Sequence, residues 1–187
     1  MKAIHHVERT ESTNDLAYTL AKGGAIDGTL VVADAQESGR GRRGRDWFSP
    51  PKGNVYLSYV HRSALAPAAL SGLTLDVASA VASALEDIAG LRCDLKWPND
   101  LLVKGRKVAG ILTELHSDLS AGGEPVVIVG VGVNVAMSDA DFPEALKPIA
   151  TSVLMETGRV LTPLDVSTLI GQRIGEKLAG YEARKGP

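Results

Sequence analysis

The sequence predicts an α+β fold in which a mixed, largely antiparallel central sheet carries helices packed mainly on one face. The first observation behind this prediction is that strand-like segments come in runs and hairpins instead of alternating regularly with helices. The second is that the long helical patterns are few and stand between those runs. The chain of 187 residues has no internal repeat and no low-complexity linker. We therefore expect a single domain over residues 1–187.

Three segments have the spacing and end signals of helices. The first begins at Ser12 or Thr13, whose hydroxyls suit a helix N-cap, and stops at the glycine pair that begins with Gly23. The clearest helix covers residues 67–89, where apolar residues recur at helical spacing after a proline. The last begins after Thr162, with a proline at its first position and an arrangement that resembles a capping box.

Strand-like segments account for most of the other regular structure. Two of them form a hairpin around a tight turn at residues 104–107. The valine-rich segment "PVVIVGVGVNVAM", residues 125–137, is expected to be a central, buried strand. The remaining predicted strands are "AIHHVERT", "GTLVVADAQ", "NVYLSYVH" and "RCDLKW".

Composition argues against several classes of protein. A formal net charge of -2 and an isoelectric point of about 6.1 do not fit a dedicated nucleic-acid-binding domain, whose basic footprint raises the isoelectric point. Hydrophobic residues make up 44% of the chain, enough for a globular core. No secretory segment opens the chain, and its most apolar run, residues 125–137, is too short to span a bilayer. We expect a cytoplasmic protein with neither DNA nor a membrane as its partner.

The single cysteine, Cys93, excludes an internal disulfide. It lies in a strand-like segment, and the simplest interpretation is a small buried hydrophobic residue. A reactive thiol would require a neighbouring histidine or a basic pocket, neither of which follows from the local sequence.

The tripeptide Ser12-Thr13-Asn14 offers more polar groups than a helix start requires. Serine, threonine and asparagine are preferred N-cap residues, so a purely structural role explains the tripeptide well. A cap needs only one of the three, however, and the other two leave hydroxyl and amide groups for a ligand. Both interpretations stay open on this segment alone.

The arginine loop, residues 37–50 with the sequence "ESGRGRRGRDWFSP", combines glycines with closely spaced arginines. It follows Gln36, at the end of a predicted strand. Glycine lets backbone N–H groups approach an anion, and arginine offers permanently charged donor forks for phosphate or carboxylate. A solvated surface loop and a nucleic-acid patch are the alternatives, although no aromatic residues are interleaved for base stacking. The lysine of a P-loop is also absent from the pattern.

A second cationic segment is "LKWPND", residues 95–100. Lys96 ends what we expect to be a buried strand, where an ammonium group needs an acceptor unless it reaches solvent past Trp97. The following segment "RKVAGILTE" supplies Lys107 close to a small-residue step at Gly110, where a ligand has room to lie against the backbone.

The segment "VGVGVNV" places two glycines on one face of a predicted strand. Gly130 and Gly132 alternate along that face, and Asn134 continues it. Glycine weakens a strand unless another backbone or a ligand presses against it. The alternation therefore indicates a flat floor under a ligand, with Asn134 as a polar group at its end.

Together, in this order and spacing, these motifs resemble the catalytic domain of biotin protein ligase. The resemblance rests on "STN", "Q..GRGRRGR.W.S", "KWPND", "KVAGIL.E" and "G.G.N", and extends from about Glu8 to Tyr181. The pair "GRGRRGR" and "KWPND" is its most specific part. The fold that it implies, similar to class II aminoacyl-tRNA synthetases, agrees with the α+β sheet expected from the strand pattern.

The resemblance implies an enzyme that joins biotin to ATP, giving biotinyl-5'-AMP and pyrophosphate. The same enzyme would then transfer biotin to a lysine of a biotin carboxyl carrier protein, which belongs to acetyl-CoA carboxylase or a related carboxylase. Carried over by motif, Arg40, Arg42 and Lys96 would be the catalytic cations that hold two anions at bonding distance. Mg²⁺ would accompany ATP, with no metal ligand assigned to the protein. The residues implied to bind biotin or the nucleotide are Ser12, Thr13, Asn14, Gln36, Gly39, Arg40, Gly41, Arg42, Trp47, Lys96, Lys107, Gly110, Gly130, Gly132 and Asn134.

Within this set, the polar tripeptide and Gln36 would surround the ureido head of biotin, and Gly130 and Gly132 would form the floor. Trp47 would be a wall that closes with the arginine loop, because the water-sensitive adenylate has to be covered. Lys107 and Asn134 would lie near the nucleotide.

The resemblance also bears on domains, partners and rival functions. Repressor-type members carry an N-terminal helix-turn-helix domain and most members end in a small SH3-like domain. We expect neither in this chain, and hence no role in transcription. The family often pairs through sheet edges, so a homodimer is an expectation. The alternatives are a lipoate or octanoate ligase or transferase of related fold, a non-catalytic biotin-binding paralogue, and an RNA-binding protein that uses the arginine loop.

Overall fold

Seven strands of the described residues form one sheet. The computed structural model describes residues 3–51, 53–119 and 125–186, so residues 1–2, 52, 120–124 and 187 of the predicted domain are not among those described. Across the sheet the order, in chain numbering, is β1-β2-β3-β7-β6-β5-β4. The strands are β1 (Ala3–Thr10), β2 (Thr29–Gln36), β3 (Val55–Arg62), β4 (Asp94–Lys96), β5 (Asp100–Val103), β6 (Arg106–His116) and β7 (Val126–Val133).

The sheet is mixed and largely antiparallel, as the sequence predicted. Among the described strands β1 and β2 run parallel, and the other neighbouring pairs are antiparallel. The valine-rich β7 lies between β3 and β6, which confirms its central position. The predicted turn joins β5 to β6 at Lys104 and Gly105, whose φ angles of 49° and 80° suit a two-residue hairpin loop.

Helices cover the two faces of the sheet unequally. The α-helices of the described residues are α1 (Thr13–Lys22), α2 (Leu73–Ala89), α3 (Val153–Thr157) and α4 (Pro163–Lys185). The long helices α2 and α4 pack on each other and share one core with the sheet. On the opposite face the shorter α1 packs against β2, β3 and β7. The helices thus lie mainly on one face, as predicted.

Two helix starts differ from the sequence prediction. Residues Pro67–Gly72 form 3-10 turns, and α2 begins only at Leu73. Neither Ser12 nor Thr162 makes a side-chain cap hydrogen bond, so the capping box expected at Thr162 is not formed. The predicted end of α2 is confirmed, because Gly90 adopts the left-handed conformation with φ 68°.

Side chains alternate across β7, and this alternation creates space on the α1 face. Val127 and Val129 belong to the core shared with α2 and α4, whereas Ile128 belongs to the small cluster under α1. Gly130 and Gly132 follow Ile128 on the same face of the strand. Because they lack side chains, the centre of the sheet stays open at this point.

The segment Pro67–Ala89 is long and apolar enough, by length and composition alone, to span a membrane, with a mean hydropathy of 1.5. The sequence prediction overlooked this segment and singled out residues 125–137 instead. The apolar side of α2 packs on the sheet and on α4, which is the environment of a core helix.

β4 is an exposed edge strand, so the prediction that Lys96 ends a buried strand is wrong. All three residues of β4 are exposed, because among the described strands β4 lies at the edge of the sheet, with β5 as its neighbour. Cys93 comes just before β4, half-buried against the main core. Burial, with a smaller contribution from Asp94 and Glu86, raises the pKa of the Cys93 thiol to about 11. The thiol is therefore protonated at neutral pH.

Candidate functional site

A cavity of about 440 Å³, here called the site cavity, opens above the glycine-containing end of β7. The start of α1, the arginine loop, the turn between β4 and β5, and strands β6 and β7 surround it. Every site residue predicted from the sequence lines this cavity, with the exception of Gly39. The predicted residues that line it are Ser12, Thr13, Asn14, Gln36, Arg40, Gly41, Arg42, Trp47, Lys96, Lys107, Gly110, Gly130, Gly132 and Asn134. Residues from distant parts of the chain thus meet in one place.

The glycines of the floor are in close contact with side chains of the chain itself. A Cβ atom at position 130 would lie 2.3 Å from Asn14 Oδ1, and one at position 132 would lie 2.4 Å from the Trp47 indole. At Gly110 on β6 the distance to the same indole would be 2.9 Å. Only glycine fits under such contacts. The floor therefore supports Asn14 at one end and Trp47 further along.

The end of the site cavity beside α1 is neutral and rich in hydrogen bonds. Gln36 Oε1 accepts from the backbone N–H of Thr13 at 2.9 Å and from its hydroxyl at 3.1 Å. Gln36 Nε2 donates to Ser49 Oγ at 2.9 Å. The buried Ser58 on β3 has its Oγ 2.8 Å from the Thr13 hydroxyl and 2.5 Å from Asn14 Oδ1. These bonds hold the start of α1 against β2, β3 and the arginine loop.

Several groups at this neutral end keep hydrogen-bonding capacity for a ligand. Ser12 is buried, and its hydroxyl does not cap α1. Gln36 uses one amide N–H on Ser49, and Asn14 uses one on Glu114 Oε2 at 2.6 Å, so each amide has a second N–H left. The hydroxyl oxygens also retain lone pairs. This end can satisfy a small uncharged group that both donates and accepts.

Ser49, Ser58 and Glu114 were not among the predicted site residues, although Ser49 and Glu114 are the last residues of the motifs "Q..GRGRRGR.W.S" and "KVAGIL.E". Ser58 gives a faint signal, a hydroxyl inside the otherwise apolar and aromatic segment "NVYLSYVH", and Ser49 lies inside the arginine loop. The contact that Glu114 makes could not be predicted from its motif, because its partner Asn14 is 100 residues away in the chain.

The arginine loop contains a short hairpin. The N–H of Trp47 donates to the carbonyl of Gly39 at 2.7 Å, and the N–H of Gly41 donates to the carbonyl of Arg45 at 2.6 Å. Arg43, at its tip, has a φ of 60°. In this structure the loop is therefore held in a defined shape by its own backbone hydrogen bonds.

The two glycines of this hairpin differ in how tightly they are packed. A Cβ at Gly39 would lie 2.4 Å from Ser49 Oγ and 2.6 Å from the carbonyl oxygen of Trp47. At Gly41 the nearest atom, the carbonyl oxygen of Arg45, would be 3.2 Å away. Gly39 does not line the site cavity, and its role is to let the two arms of the hairpin meet over Gln36.

Arg40 and Arg42 point to different partners. Arg42 Nη1 donates to Asn99 Oδ1 at 3.2 Å, which places it beside the "KWPND" turn. Arg40 instead contacts Asp15 Oδ2 at 2.5 Å and Glu114 Oε1 at 3.5 Å. The charge of Arg40 is thus already balanced by two carboxylates, whereas the resemblance implied that both arginines act on substrate anions.

Lys96 reaches the site cavity from the exposed end of β4. Within the described part of the chain it forms no ion pair, so its ammonium group is free to meet an anion. Asn99 supports this corner, because its Nδ2 donates to the carbonyl of Ile111 at 2.9 Å while its Oδ1 holds Arg42. Lys96 and Arg42 thus lie at the same turn of the site cavity, and Lys107 reaches the end of that turn through Asp100.

The side chains of Lys107 and Trp47 lie next to each other, and the Trp47 indole covers Gly132. Lys107 Nζ lies 2.7 Å from Asp100 Oδ1 and 5.0 Å from the ring centroid of Trp47. The buried Nε1 of Trp47 has no hydrogen-bond partner among the described residues. Because an unpaired buried donor is unfavourable, this N–H is a candidate to donate to a ligand.

Asn134 lines the far end of the site cavity, but its amide mainly holds the protein together. Its Nδ2 donates to the carbonyl of Thr151 at 2.9 Å and lies 3.4 Å from the carbonyl of Lys107. Both contacts join β7 to neighbouring segments. The amide N–H groups of Asn134 are thus used within the protein, and its contact with a ligand stays a prediction.

The fold and the site cavity together define a small-molecule-binding α+β domain with one neutral and one cationic end. Residues 6–134 match the family model described as the biotin/lipoate A/B protein ligase family. The chain belongs to this family, which confirms the resemblance seen in its motifs.

Two curated relatives and one solved structure illustrate the likeness. The chain is 43% identical to the bifunctional ligase/repressor BirA of Bacillus subtilis over 155 residues, which are 83% of this chain and 47% of that protein. It is 43% identical to the biotin--[acetyl-CoA-carboxylase] ligase of Paracoccus denitrificans over 175 residues, 87% of this chain and 67% of that protein. The chain thus spans about half the length of the ligase/repressor relatives that it matches.

The solved structure is the biotin protein ligase from Aquifex aeolicus in complex with biotin and ATP. The two chains superpose with a TM-score of 0.83 at 32% identity, over 99% of this chain and 74% of that chain. The likeness confirms the predicted fold class.

Proposed function

We propose that this chain activates biotin with ATP to biotinyl-5'-AMP and transfers biotin to a lysine of a biotin carboxyl carrier protein, such as that of acetyl-CoA carboxylase. The observation that carries the proposal is the polarity of the site cavity, which has uncharged hydrogen-bonding groups at one end and the free cation Lys96 with Arg42 at the other. Biotin has the same polarity, with a neutral ureido head and a carboxylate tail.

The neutral end suits the ureido head. A cyclic urea has one carbonyl acceptor and two N–H donors, and the spare groups of Ser12, Thr13, Asn14 and Gln36 supply both donors and acceptors. A lipoyl ring offers no comparable set of hydrogen-bonding groups. This difference is why we favour biotin over lipoate, although the family includes ligases for both.

The cationic end suits the chemistry of activation. A biotin carboxylate oxygen attacks the α-phosphorus of ATP, the bond from that phosphorus to the bridging oxygen breaks, and pyrophosphate leaves. Lys96 and Arg42 offset the repulsion between the two anions and stabilise the charge that develops between them. In the second step the amine of the acceptor lysine attacks the acyl carbonyl, loses a proton, and AMP leaves.

Trp47 and the hairpin of the arginine loop exclude water from the adenylate in this proposal, and Lys107 with Gly110, Gly132 and Asn134 borders the nucleotide. Mg²⁺ belongs to the same proposal as an ion bound to the ATP phosphates, where it neutralises charge. In the described ranges no group of three His, Cys, Asp or Glu residues is arranged to hold a metal ion. That no residue of the chain is assigned as a metal ligand stays a prediction.

The remaining predictions accompany this function. A cytoplasmic location fits the need for ATP and a carboxylase partner. A homodimer formed through a sheet edge, and the absence of DNA and membrane partners, stay predictions, as does the assignment of residues 1–187 to one catalytic domain.

The test combines the chain with ATP, Mg²⁺ and biotin and measures pyrophosphate release, followed by labelling of a carrier domain. We expect biotin-dependent pyrophosphate release and one labelled lysine. Lipoate should compete poorly with biotin. Tight biotin binding without pyrophosphate release would favour the non-catalytic biotin-binding alternative, and efficient release with lipoate would favour the lipoate ligase. RNA binding that is unaffected by biotin would favour the nucleic-acid alternative.

A further inference from the structure

The neutral end of the site cavity is separated by a thin wall from a second cavity. This second cavity measures about 310 Å³ and is open to solvent. Asn14 and Arg40 line both cavities, so their side chains form the partition between them. The residues that line the second cavity are Asn14, Asp15, Tyr18, Arg40, Glu114, His116 and Asp118.

Side-chain contacts hold the partition in place. Glu114 contacts both Asn14 and Arg40. Its Oε2 accepts from Asn14 Nδ2 at 2.6 Å, and its Oε1 lies 3.5 Å from Arg40 Nη2. Arg40 is held on its other side by Asp15 Oδ2 at 2.5 Å. Asn14 is fixed in turn by Ser58, whose Oγ lies 2.5 Å from Asn14 Oδ1. The wall therefore joins α1, the arginine loop and β6.

The wall lies further along β6 and β7 than the glycine floor. Leu112 on β6 pairs with Gly130, the floor position under Asn14, and Glu114 follows Leu112 by two residues. A strand rises about 3.3 Å per residue, so Glu114 lies on the order of 7 Å beyond that floor position. Along the strands, Trp47 lies over Gly132, Asn14 lies over Gly130, and Glu114 comes next, beside Ile128. The second cavity therefore lies beyond Asn14, on the side away from Trp47.

We propose that Asn14, Arg40 and Glu114 form a wall that limits the size of the ligand's head group. The inference rests on the proposed function, because it takes the ureido head of biotin as the group that ends against Asn14. With the wall in place a larger head collides with it; without the wall the head extends into the second cavity. Arg40 is then a specificity-determining residue, and the cations for activation are Lys96 and Arg42.

The experiment compares biotin with a biotin that carries a benzyl group on a ureido nitrogen. Dissociation constants and ATP-dependent pyrophosphate release are measured for the wild type, Arg40→Ala and Glu114→Ala. We expect the wild type to prefer biotin strongly and each variant to lower that preference by about tenfold or more, a typical scale for a change in pocket shape. The gain should come from tighter binding of the benzyl derivative, a direction that a general structural defect does not produce.

Asp118→Ala is the matched control. Asp118 lines the second cavity and accepts from the Tyr18 hydroxyl at 2.6 Å, but it is not part of the wall, so its replacement should leave the preference unchanged. Equal losses for both ligands in Arg40→Ala and Glu114→Ala would overturn the proposal. A large loss of pyrophosphate release with biotin in Arg40→Ala alone would return Arg40 to the catalytic role.

Crystal structures of the ligand-free variants test the wall without any assumption about biotin. We expect one continuous cavity in Arg40→Ala and Glu114→Ala. Two cavities that stay separate in both variants would overturn the proposal. If the wild type binds no biotin, the proposed function fails, and the comparison of cavities still decides whether these residues form the wall.

Discussion

At the scale of single residues, the cations around the site cavity differ in whether they are already paired. Arg40 is paired with Asp15 and Glu114, and Lys107 Nζ lies beside Asp100. Lys96 forms no ion pair among the described residues. Because a carboxylate partner lowers the field that a cation presents to a second anion, Lys96 should contribute most to the activation step.

The first prediction concerns Lys96→Ala. Loss of one preorganised positive charge at the reacting atoms should slow adenylate formation by about 100-fold or more. The measurement is the rate of biotin-dependent pyrophosphate release. Lys177→Ala, which removes a half-exposed lysine that pairs with Asp76 on α2, far from the site cavity in the sheet's other layer, serves as the control and should leave the rate unchanged. Release at the wild-type rate in Lys96→Ala would remove Lys96 from the mechanism.

The second prediction compares Gly39→Ala with Gly41→Ala. The new Cβ would overlap Ser49 Oγ and the Trp47 carbonyl oxygen at position 39, but would meet the Arg45 carbonyl oxygen at 3.2 Å at position 41. Displacing the hairpin by about 1 Å can cost up to about 100-fold in rate. We therefore expect a larger loss of kcat/KM for pyrophosphate release in Gly39→Ala. A larger loss in Gly41→Ala would contradict this interpretation of the loop.

At the scale of elements, α3 holds the hairpin of β5 and β6 against the site cavity. The nearly buried carboxylate of Glu156 on α3 contacts Lys104 Nζ at 2.9 Å, Arg106 Nη2 at 2.7 Å and the Thr151 hydroxyl at 2.7 Å. Gly105, at the tip of this hairpin, lines the site cavity. The ion pairs of Glu156 thus position Gly105, one of the residues that line the site cavity.

The third prediction concerns the pH dependence of this cluster. Burial tends to raise the pKa of Glu156, but hydrogen bonds from Lys104 and Thr151 and the charges of Lys104 and Arg106 outweigh it, and the pKa lies below the ordinary value of 4.5. Since the folded-state pKa is lowered, the stabilisation is present above the ordinary value and is lost as pH falls through the folded-state pKa.

Glu156→Gln should therefore lower the free energy of unfolding by about 1–3 kcal/mol at pH 7, the scale for hydrogen bonds to a charged group. The gap between wild type and variant should narrow as pH falls below 4.5, as measured by urea denaturation. Glu144→Gln is the control, because the Glu144 carboxylate is exposed and pairs with Lys147 at the surface. A gap that stays constant over the whole pH range would contradict the prediction.

At the scale of the whole molecule, the sheet separates stability from binding. The main core lies between the sheet and the pair α2 and α4, whereas the site cavity lies on the face that α1 covers only in part. Changes in the main core should therefore alter the free energy of unfolding with little effect on ligand preference.

The fourth prediction is that Ile174→Ala lowers the free energy of unfolding by about 2–5 kcal/mol, because a cavity forms where a fully buried side chain of α4 is removed. In protein that remains folded, the KM for biotin should stay close to that of the wild type. Leu164→Ala, at an exposed position of the same helix, should change stability by less than about 0.5 kcal/mol. A large rise in KM for Ile174→Ala would show that the two faces are coupled.

Local patterns of the sequence determined much of the fold. The alternation of valine and glycine in β7, the turn at Lys104 and Gly105, and the glycine stop at Gly90 all depend on neighbouring residues, and each prediction was confirmed. Motif order determined the family as well as the set of residues that the chain brings to one cavity. Local patterns failed at β4, since exposure at a sheet edge depends on the order of strands, which no short segment encodes.

Only the tertiary structure determined which group each polar side chain contacts. Arg40 and Arg42 are two residues apart in one motif, yet one contacts Glu114 and the other Asn99. Glu114 and Asn99 lie more than 50 residues further along the chain, and side-chain hydrogen bonds and ion pairs act over only a few ångströms. The sequence by itself therefore determined which charged groups and hydroxyls are present at the site. The packing of α1, the arginine loop and β6 decided which of these groups form the wall between the two cavities and which stay free for a ligand.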